Sequence, residues 1–317
     1  MLNRILDASI VLSFDKNGFV RHAKDFNERD MAVSLEGQHI VITGANSGIG
    51  YAATASLLKM GAKVTLVGRN RERAETAAQA LLKDEVEAKL EVKIADMSSL
   101  ASVRSLAEEL DGSISCLIHN AGAMLPSLTH TEDGHETITA THILGPYLLT
   151  AELRKQGKLE CSMESPSRVI FVSSGGMYSQ ALSVSRLAKP PLPYDGMVHY
   201  AQTKRAQVVL SEILDKRLKS EGVRCVSMHP GWVDTPGVRT AMPKFFRVTK
   251  KILRNTDEGA DTIVWLACVD NEKLDKRNVF YFDRKSTSVH KMRKTRKGDS
   301  QDELLEYVEK ASGCRLA

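Results

Sequence analysis

The stretch Tyr200-Ala201-Gln202-Thr203-Lys204 sets a phenol and a primary amine four residues apart. Residues i and i+4 share a helix face, and the chain from Val198 through Val209 to Leu214 has helical apolar spacing broken by neither Gly nor Pro. Tyr200 and Lys204 are therefore expected to face one space. A free phenol titrates near ~10, too high for easy proton exchange at neutral pH. A neighbouring cation favours the phenolate, so the lysine is expected to draw the tyrosine into catalytic range. Such a pair also decorates many helices by chance, and its weight depends on what else the chain carries.

A second chemical stretch is Thr43-Gly44-Ala45-Asn46-Ser47-Gly48-Ile49-Gly50, which follows an apolar strand-like run. Its glycines permit a tight turn and let a pyrophosphate approach a helix N-terminus, although the spacing is not GxGxxG. Roughly twenty residues on, where an acidic side chain would bind the adenosine ribose of NAD, the chain has Gly68-Arg69-Asn70. A guanidinium there suits the 2′-phosphate of NADP(H). Asp96 is placed to accept from the adenine amino group, and Asn120-Ala121-Gly122 to keep side chains small beside the cofactor. Ser173 and Ser174 compete for the role of a serine beside Tyr200, and alternation along a strand puts them on opposite sides.

Positioning these groups falls to a regular alternation of strands and helices, the pattern of βαβ units feeding a doubly wound, mostly parallel sheet. Seven strands are expected, at His39 to Thr43, Lys63 to Val67, Glu91 to Ala95, Ser115 to His119, Arg168 to Ser173, Arg224 to Met228 and Asn278 to Phe282. Helices are expected between them on both faces, at Gly48 to Met60, Arg71 to Lys83, Leu100 to Leu110, Thr137 to Leu153, Val198 to Lys219 and Asp257 to Cys268. Two long connections, Gly175 to Met197 and Pro230 to Arg254, leave carboxyl ends of strands, the edge where such sheets bind ligands. They read as ordered loops forming a substrate wall and a lid. Residues 38–283 form one domain in this reading. Residues 1–37 are an extension packed on it, and 284–317 a basic extension with a short helix.

The 317 residues are 42% apolar and 26% charged, with a net charge of +5, which excludes disorder throughout. The basic run Lys291-Met292-Arg293-Lys294-Thr295-Arg296-Lys297 has no interleaved aromatics, which argues against nucleic acid. Five scattered cysteines, Cys116, Cys161, Cys225, Cys268 and Cys314, form neither a disulfide framework nor a metal-ligand pattern. They suit a reducing cytoplasm. No signal peptide or transmembrane span is evident, and the terminal segments leave peripheral membrane contact as a further reading.

These motifs, in this order, resemble the short-chain dehydrogenase/reductase family in its compact single-domain branch, from about Gly37 to Asp283. The resemblance rests on the Thr43 to Gly50 turn, Asn120-Ala121-Gly122, Ser173-Ser174, Tyr200-x-x-x-Lys204 and Pro230-Gly231 after a strand. Further stretches, including Met228-His229-Pro230-Gly231-Trp232 and Asp234 to Arg239, look like the dehydrogenase/reductase family member 12 subgroup.

The resemblance implies a Rossmann-type fold and a nicotinamide cofactor. It also implies Tyr200 as acid/base, Lys204 as the group that lowers its pKa and holds the nicotinamide ribose, and Ser174 as the group that positions a carbonyl oxygen. The glycine turn, Arg69, Asp96, Asn120 to Gly122, Tyr200, Lys204, Pro230, Gly231, Val233 and Thr235 are then expected around the cofactor. One family residue is missing: the helix asparagine supporting a water-mediated proton relay falls at His142, whose imidazole is expected to hold the water instead.

The favoured reading is a cytoplasmic NADP(H)-dependent oxidoreductase interconverting an apolar alcohol and its aldehyde or ketone. Met177, Trp232, Val238, Met242, Phe245 and Phe246 are read as apolar residues flanking the site. The family tendency is toward homo-oligomers. The rival reading is an NADP(H)-binding regulatory or scaffold protein without turnover.

Overall fold

The computed structural model describes residues 10–84, 88–159 and 166–316. Cys161 lies outside them. A single sheet runs in the order β3-β2-β1-β4-β5-β6-β7-β8. Its strands are β1 (His39–Thr43), β2 (Lys63–Gly68), β3 (Leu90–Ile94), β4 (Cys116–His119), β5 (Ser167–Val172), β6 (Val223–His229), β7 (Phe280–Phe282) and β8 (Lys285–Ser286). All neighbours are parallel except β7 and β8. The eighth strand is one more than the sequence reading expects. It arises because Asp283 and Arg284 both take positive φ (47° and 58°) and close a two-residue hairpin without the usual glycine.

Eleven helices are used below: α1 (Ile10–Phe14), α2 (Lys16–Ala23), α3 (Gly48–Lys59), α4 (Arg71–Asp84), α5 (Leu100–Glu109), α6 (Gly145–Lys155), α7 (Gly196–Leu218), α8 (Pro236–Ala241), α9 (Pro243–Thr249), α10 (Thr256–Cys268) and α11 (Gln301–Ser312). The inner strands are buried on both faces, so they alternate between two cores. Val41 joins one core with Val103, Tyr147, Leu210 and Leu304, whereas Ile40 and Ile42 join the other with Leu57, Ala74 and Ile263. Helices α5, α6, α7 and α11 thus cover one face, and α3, α4 and α10 the opposite one. The strand order reverses between β1 and β4, and the crevice at that switch point opens beyond the strands' carboxyl ends.

Two features position the site and were not anticipated from periodicity. The helical run entering α6 is π-helical over Ala140–Leu144. Pro146 carries no N–H to donate to the carbonyl four residues back, that of His142, and so breaks the α ladder there. The second feature is the buried ion pair of Arg254 and Asp283 (2.6 and 2.9 Å). Arg254 also donates to the carbonyls of Ser13, Phe14 and Asp15, fastening α1 and α2 behind the chain that leaves β6. The connection Pro230 to Arg254, expected as turns, is mostly the two short helices α8 and α9.

Candidate active site

The crevice is a cleft of about 1010 Å³. Its floor is the turn between β1 and α3. Gly44 has φ +67°, and a Cβ there would lie 2.7 Å from the Ala121 Cα; a Cβ on Gly50 would lie 2.4 Å from Asn120 Nδ2. Both glycines are therefore demanded by close backbone approach. Asn120 donates through Nδ2 to the carbonyls of Thr43 and Gly44 (3.0 and 2.9 Å), so it holds the turn in shape. Ser47, at the N-cap of α3, makes no side-chain capping bond, leaving the first N–H groups of this helix to face the cleft. This bare, positively polarised helix end fits a pyrophosphate.

At the far end of the floor, Arg69 is 74% exposed and stands 3.9 Å from Asp96. Arg73, one turn into α4, lines the same corner and was missed in the sequence, where it reads as an ordinary helix-surface arginine. Opposite, Gly231 has φ +82°, and a Cβ there would fall 2.3 Å from Arg254 Nε. The buried guanidinium thus sets the turn Pro230-Gly231-Trp232. Asn46, Gly48, Ile49, Ala121, Gly122, Val233 and Thr235 complete the wall.

Tyr200 and Lys204 meet at the centre, the ammonium 5.5 Å from the phenol ring. Lys204 Nζ donates to the Val172 carbonyl (2.8 Å) and to Gln207 Oε1 (2.9 Å). Burial pushes Lys204 down to about 7. Burial also pushes the Tyr200 phenol up to about 12, with a hydrogen bond from Ser174 pulling the other way. The lysine is expected from the sequence to draw the phenol down; burial acts in the opposite direction, and the Ser174 hydroxyl is the influence that opposes it.

The two serines separate cleanly. Ser173 Oγ donates to the Lys204 carbonyl (2.8 Å) and is buried away from the phenol. Ser174, beside Tyr200, accepts from Gly176 N–H (3.3 Å).

His142 is the site residue that the structure does not bring to the cleft. It is fully buried behind Gly122. Its Nε2 accepts from Ala123 N–H (3.0 Å), and its Nδ1 lies 2.8 Å from Thr203 Oγ1, which itself donates to the Tyr200 carbonyl. The hydroxyl proton being spent there, Nδ1 carries the hydrogen and Nε2 accepts. Burial and the nearby Lys204 hold the imidazole well below its usual range, hence neutral. Both nitrogens are taken by protein, which leaves neither for a relay water.

Trp232, Val238, Met242 and Phe245 line the mouth together with Met124, Leu125 and Met197. Two residues read as flanking the site do not line it. Met177 is buried with Phe14 in a separate cluster, and Phe246 packs against Arg239. Helix α11 also stays away from the cleft and packs on the core beside α6 and α7.

A switch-point crevice floored by a bare helix end is the arrangement of a dinucleotide-binding fold. Residues 38–244 match the family model for short chain dehydrogenases, and the chain belongs to that family. Such a fold binds a nicotinamide cofactor, and the chain is an oxidoreductase of alcohol and carbonyl groups. Within the family it is close to dehydrogenase/reductase SDR family member 12 of Bos taurus, 37% identical over 300 residues and 93% of each chain. Retinol dehydrogenase 14 of Mus musculus is 35% identical over 253 residues, 74% of each chain. An uncharacterized protein of Mycobacterium Paratuberculosis shares the fold at TM-score 0.71, with 25% identity over 90% of this chain and 97% of that one. Among the described residues no helix is long and apolar enough to cross a membrane.

Proposed function

We propose that the protein is an NADP(H)-dependent oxidoreductase that interconverts an apolar alcohol with its aldehyde or ketone through Ser174, Tyr200 and Lys204. The observation that carries this reading is the convergence of Ser174, Tyr200 and Lys204 on the centre of the cleft, with the ammonium held by two acceptors 5.5 Å from the phenol ring. The nicotinamide supplies or accepts the hydride. The residues do the rest. As charge gathers on a carbonyl oxygen, the Ser174 hydroxyl and the Tyr200 proton stabilise it. With its phenol pushed up to about 12, Tyr200 rests protonated at neutral pH, the state needed for reduction. Lys204 is the group placed to hold the nicotinamide ribose.

Preference for the phosphorylated cofactor is supported by Arg69 and Arg73 lining one corner, where two guanidinium groups match a 2′-phosphate. An apolar substrate is supported by the Trp232, Met242 and Phe245 mouth and by the retinol dehydrogenase relative. The cysteines Cys116, Cys225, Cys268 and Cys314 are free thiols, which suits cytoplasmic placement.

The deciding experiment is single-turnover oxidation of bound NADPH against a panel of apolar aldehydes and ketones, with the Tyr200→Phe variant alongside. The reading requires turnover by the parent and at least a ~100-fold loss in the variant. NADPH binding without turnover of any carbonyl would leave the scaffold reading in its place.

A further inference from the structure

The interior of the site contains a polar group to which neither the family resemblance nor the proposed chemistry assigns a role. Gln207 sits one turn after Lys204 on α7 and is wholly buried. Its Oε1 accepts from Lys204 Nζ (2.9 Å), and its Nε2 donates to the carbonyl of His142 (3.0 Å). That carbonyl is the one that Pro146 strips of its α-helical donor, at the π-helical segment that faces α7. A buried carbonyl without a partner is costly, and the amide answers it. The same amide then presents its oxygen to the ammonium. Pro146, the π turn, Gln207 and Lys204 form one connected arrangement running from helix backbone to reacting groups.

We infer that Gln207 is a positioning residue of this site: its amide ties Lys204 to the His142 carbonyl, fixes the ammonium beside Tyr200 and favours its charged form. The inference rests on the proposed assignment of Lys204. Two of the three ammonium hydrogens are spent inside the protein, on Val172 O and Gln207 Oε1. One is left for the cleft. The amide itself bridges the lysine and the helix carbonyl, and a carboxamide does not hand a proton along as water does.

The titratable groups around Lys204 are Tyr200 on its own helix and His142 on the π-helical run. The side chains of Val172 and Ser173, on the strand side, do not titrate. Among the described residues no carboxylate forms an ion pair with this lysine. Its charged form depends on neutral acceptors, of which Gln207 supplies one of two. That dependence gives the test a sign.

The apoprotein, labelled with [13C]lysine, is titrated between pH 5 and 10 by NMR, the Lys204 signal being assigned by its absence in Lys204→Gln. Gln207→Leu removes the acceptor at similar volume and lowers the midpoint by about one pH unit, a ten-fold loss of proton affinity. Gln207→Glu places a carboxylate against the ammonium and raises the midpoint by at least about as much. Opposite shifts from two variants of similar size are not produced by a residue that merely fills space. Midpoints within ~0.2 of the parent, or moved in one direction by both variants, overturn the inference. If Gln207→Leu does not fold, Gln207→Glu decides alone, an unmoved or lowered midpoint being fatal. The readout needs no substrate, so shifted midpoints in a protein that turns nothing over would overturn the proposed activity and leave the role of Gln207 standing.

Discussion

Arg254 and Asp283 face each other as a two-pronged ion pair at 2.6 and 2.9 Å, buried directly beneath Gly231. His22 adds a third contact, 2.6 Å from the same carboxylate. Removing one partner strands a buried charge, a loss on the order of 3–5 kcal/mol. Arg254→Met is thus expected to lower stability by that scale and to weaken NADPH binding, because the Pro230–Trp232 turn loses its support. Urea unfolding and NADPH titration of the same preparation check both effects. Unchanged cofactor affinity would detach the pair from the site.

The serines make a paired prediction. Ser174→Ala removes a hydroxyl from the phenol and is expected to cut turnover ~100-fold or more with the fold intact. Ser173→Ala loses a bond to the Lys204 carbonyl and is expected to cost about 1 kcal/mol of stability while keeping most activity. Equal rates for the two variants would show that the wrong serine has been assigned.

Cofactor choice is tested at the arginine corner. Arg69→Asp replaces attraction of a 2′-phosphate by repulsion, and the NADPH to NADH affinity ratio is expected to fall by roughly two orders of magnitude. Arg73→Ala is expected to lower NADPH affinity alone, by a smaller factor. A ratio that survives both substitutions would make these arginines bystanders.

A pH prediction follows from the buried histidines. Burial holds His119 and His229 down to about 3, and His142 is held well below its usual range. The folded values lie below the unfolded one near 6.5, so the unfolded chain takes up protons first as pH falls. Their stabilising contribution is complete above about pH 6.5 and drains away below it, at up to ~1.4 kcal/mol per histidine per pH unit. Melting temperature is expected to drop by about 5 °C per unit between pH 6 and 4.5, less steeply in His142→Asn. The same depression means that His142 contributes no acidic limb to the rate profile near neutrality.

His142→Leu leaves the Ala123 N–H and the Thr203 hydroxyl without their ring partners. It is expected to destabilise by about 2–4 kcal/mol and to reduce turnover through displacement of the Tyr200 turn. If chemical denaturation finds it as stable as the parent, these bonds carry no weight.

The sheet was legible because its inner strands are long apolar runs punctuated by turn residues, and because the glycine turn and the Tyr200 and Lys204 pair announce themselves by type and spacing. What periodicity misses is a single extra residue in a helix. The π-helical stretch at His142 leaves the apolar pattern almost unchanged, and only Pro146 marks it. Gln207 reads as a polar residue on a helix, since its two partners come from the site and from a distant carbonyl. Met177 and Phe246 were placed beside the cleft because apolar type does not distinguish a wall from a core. Lys204 was expected to govern the phenol, but an expected charge says nothing of the desolvation that opposes it. The hairpin closing β8 lacked the glycine that would have signalled it.

The clasp of α1 by Arg254 also dictates an order of events at the ribosome. Ser13 and its partner are 241 residues apart, and the chain emerges at ~5–20 residues per second. Phe14, 1% exposed once docked, must wait roughly 10–50 s for its cover to be made. The turn beneath the cofactor wall can close only after Asp283 has left the exit tunnel. Chains halted before Arg254 therefore leave Phe14 without this clasp.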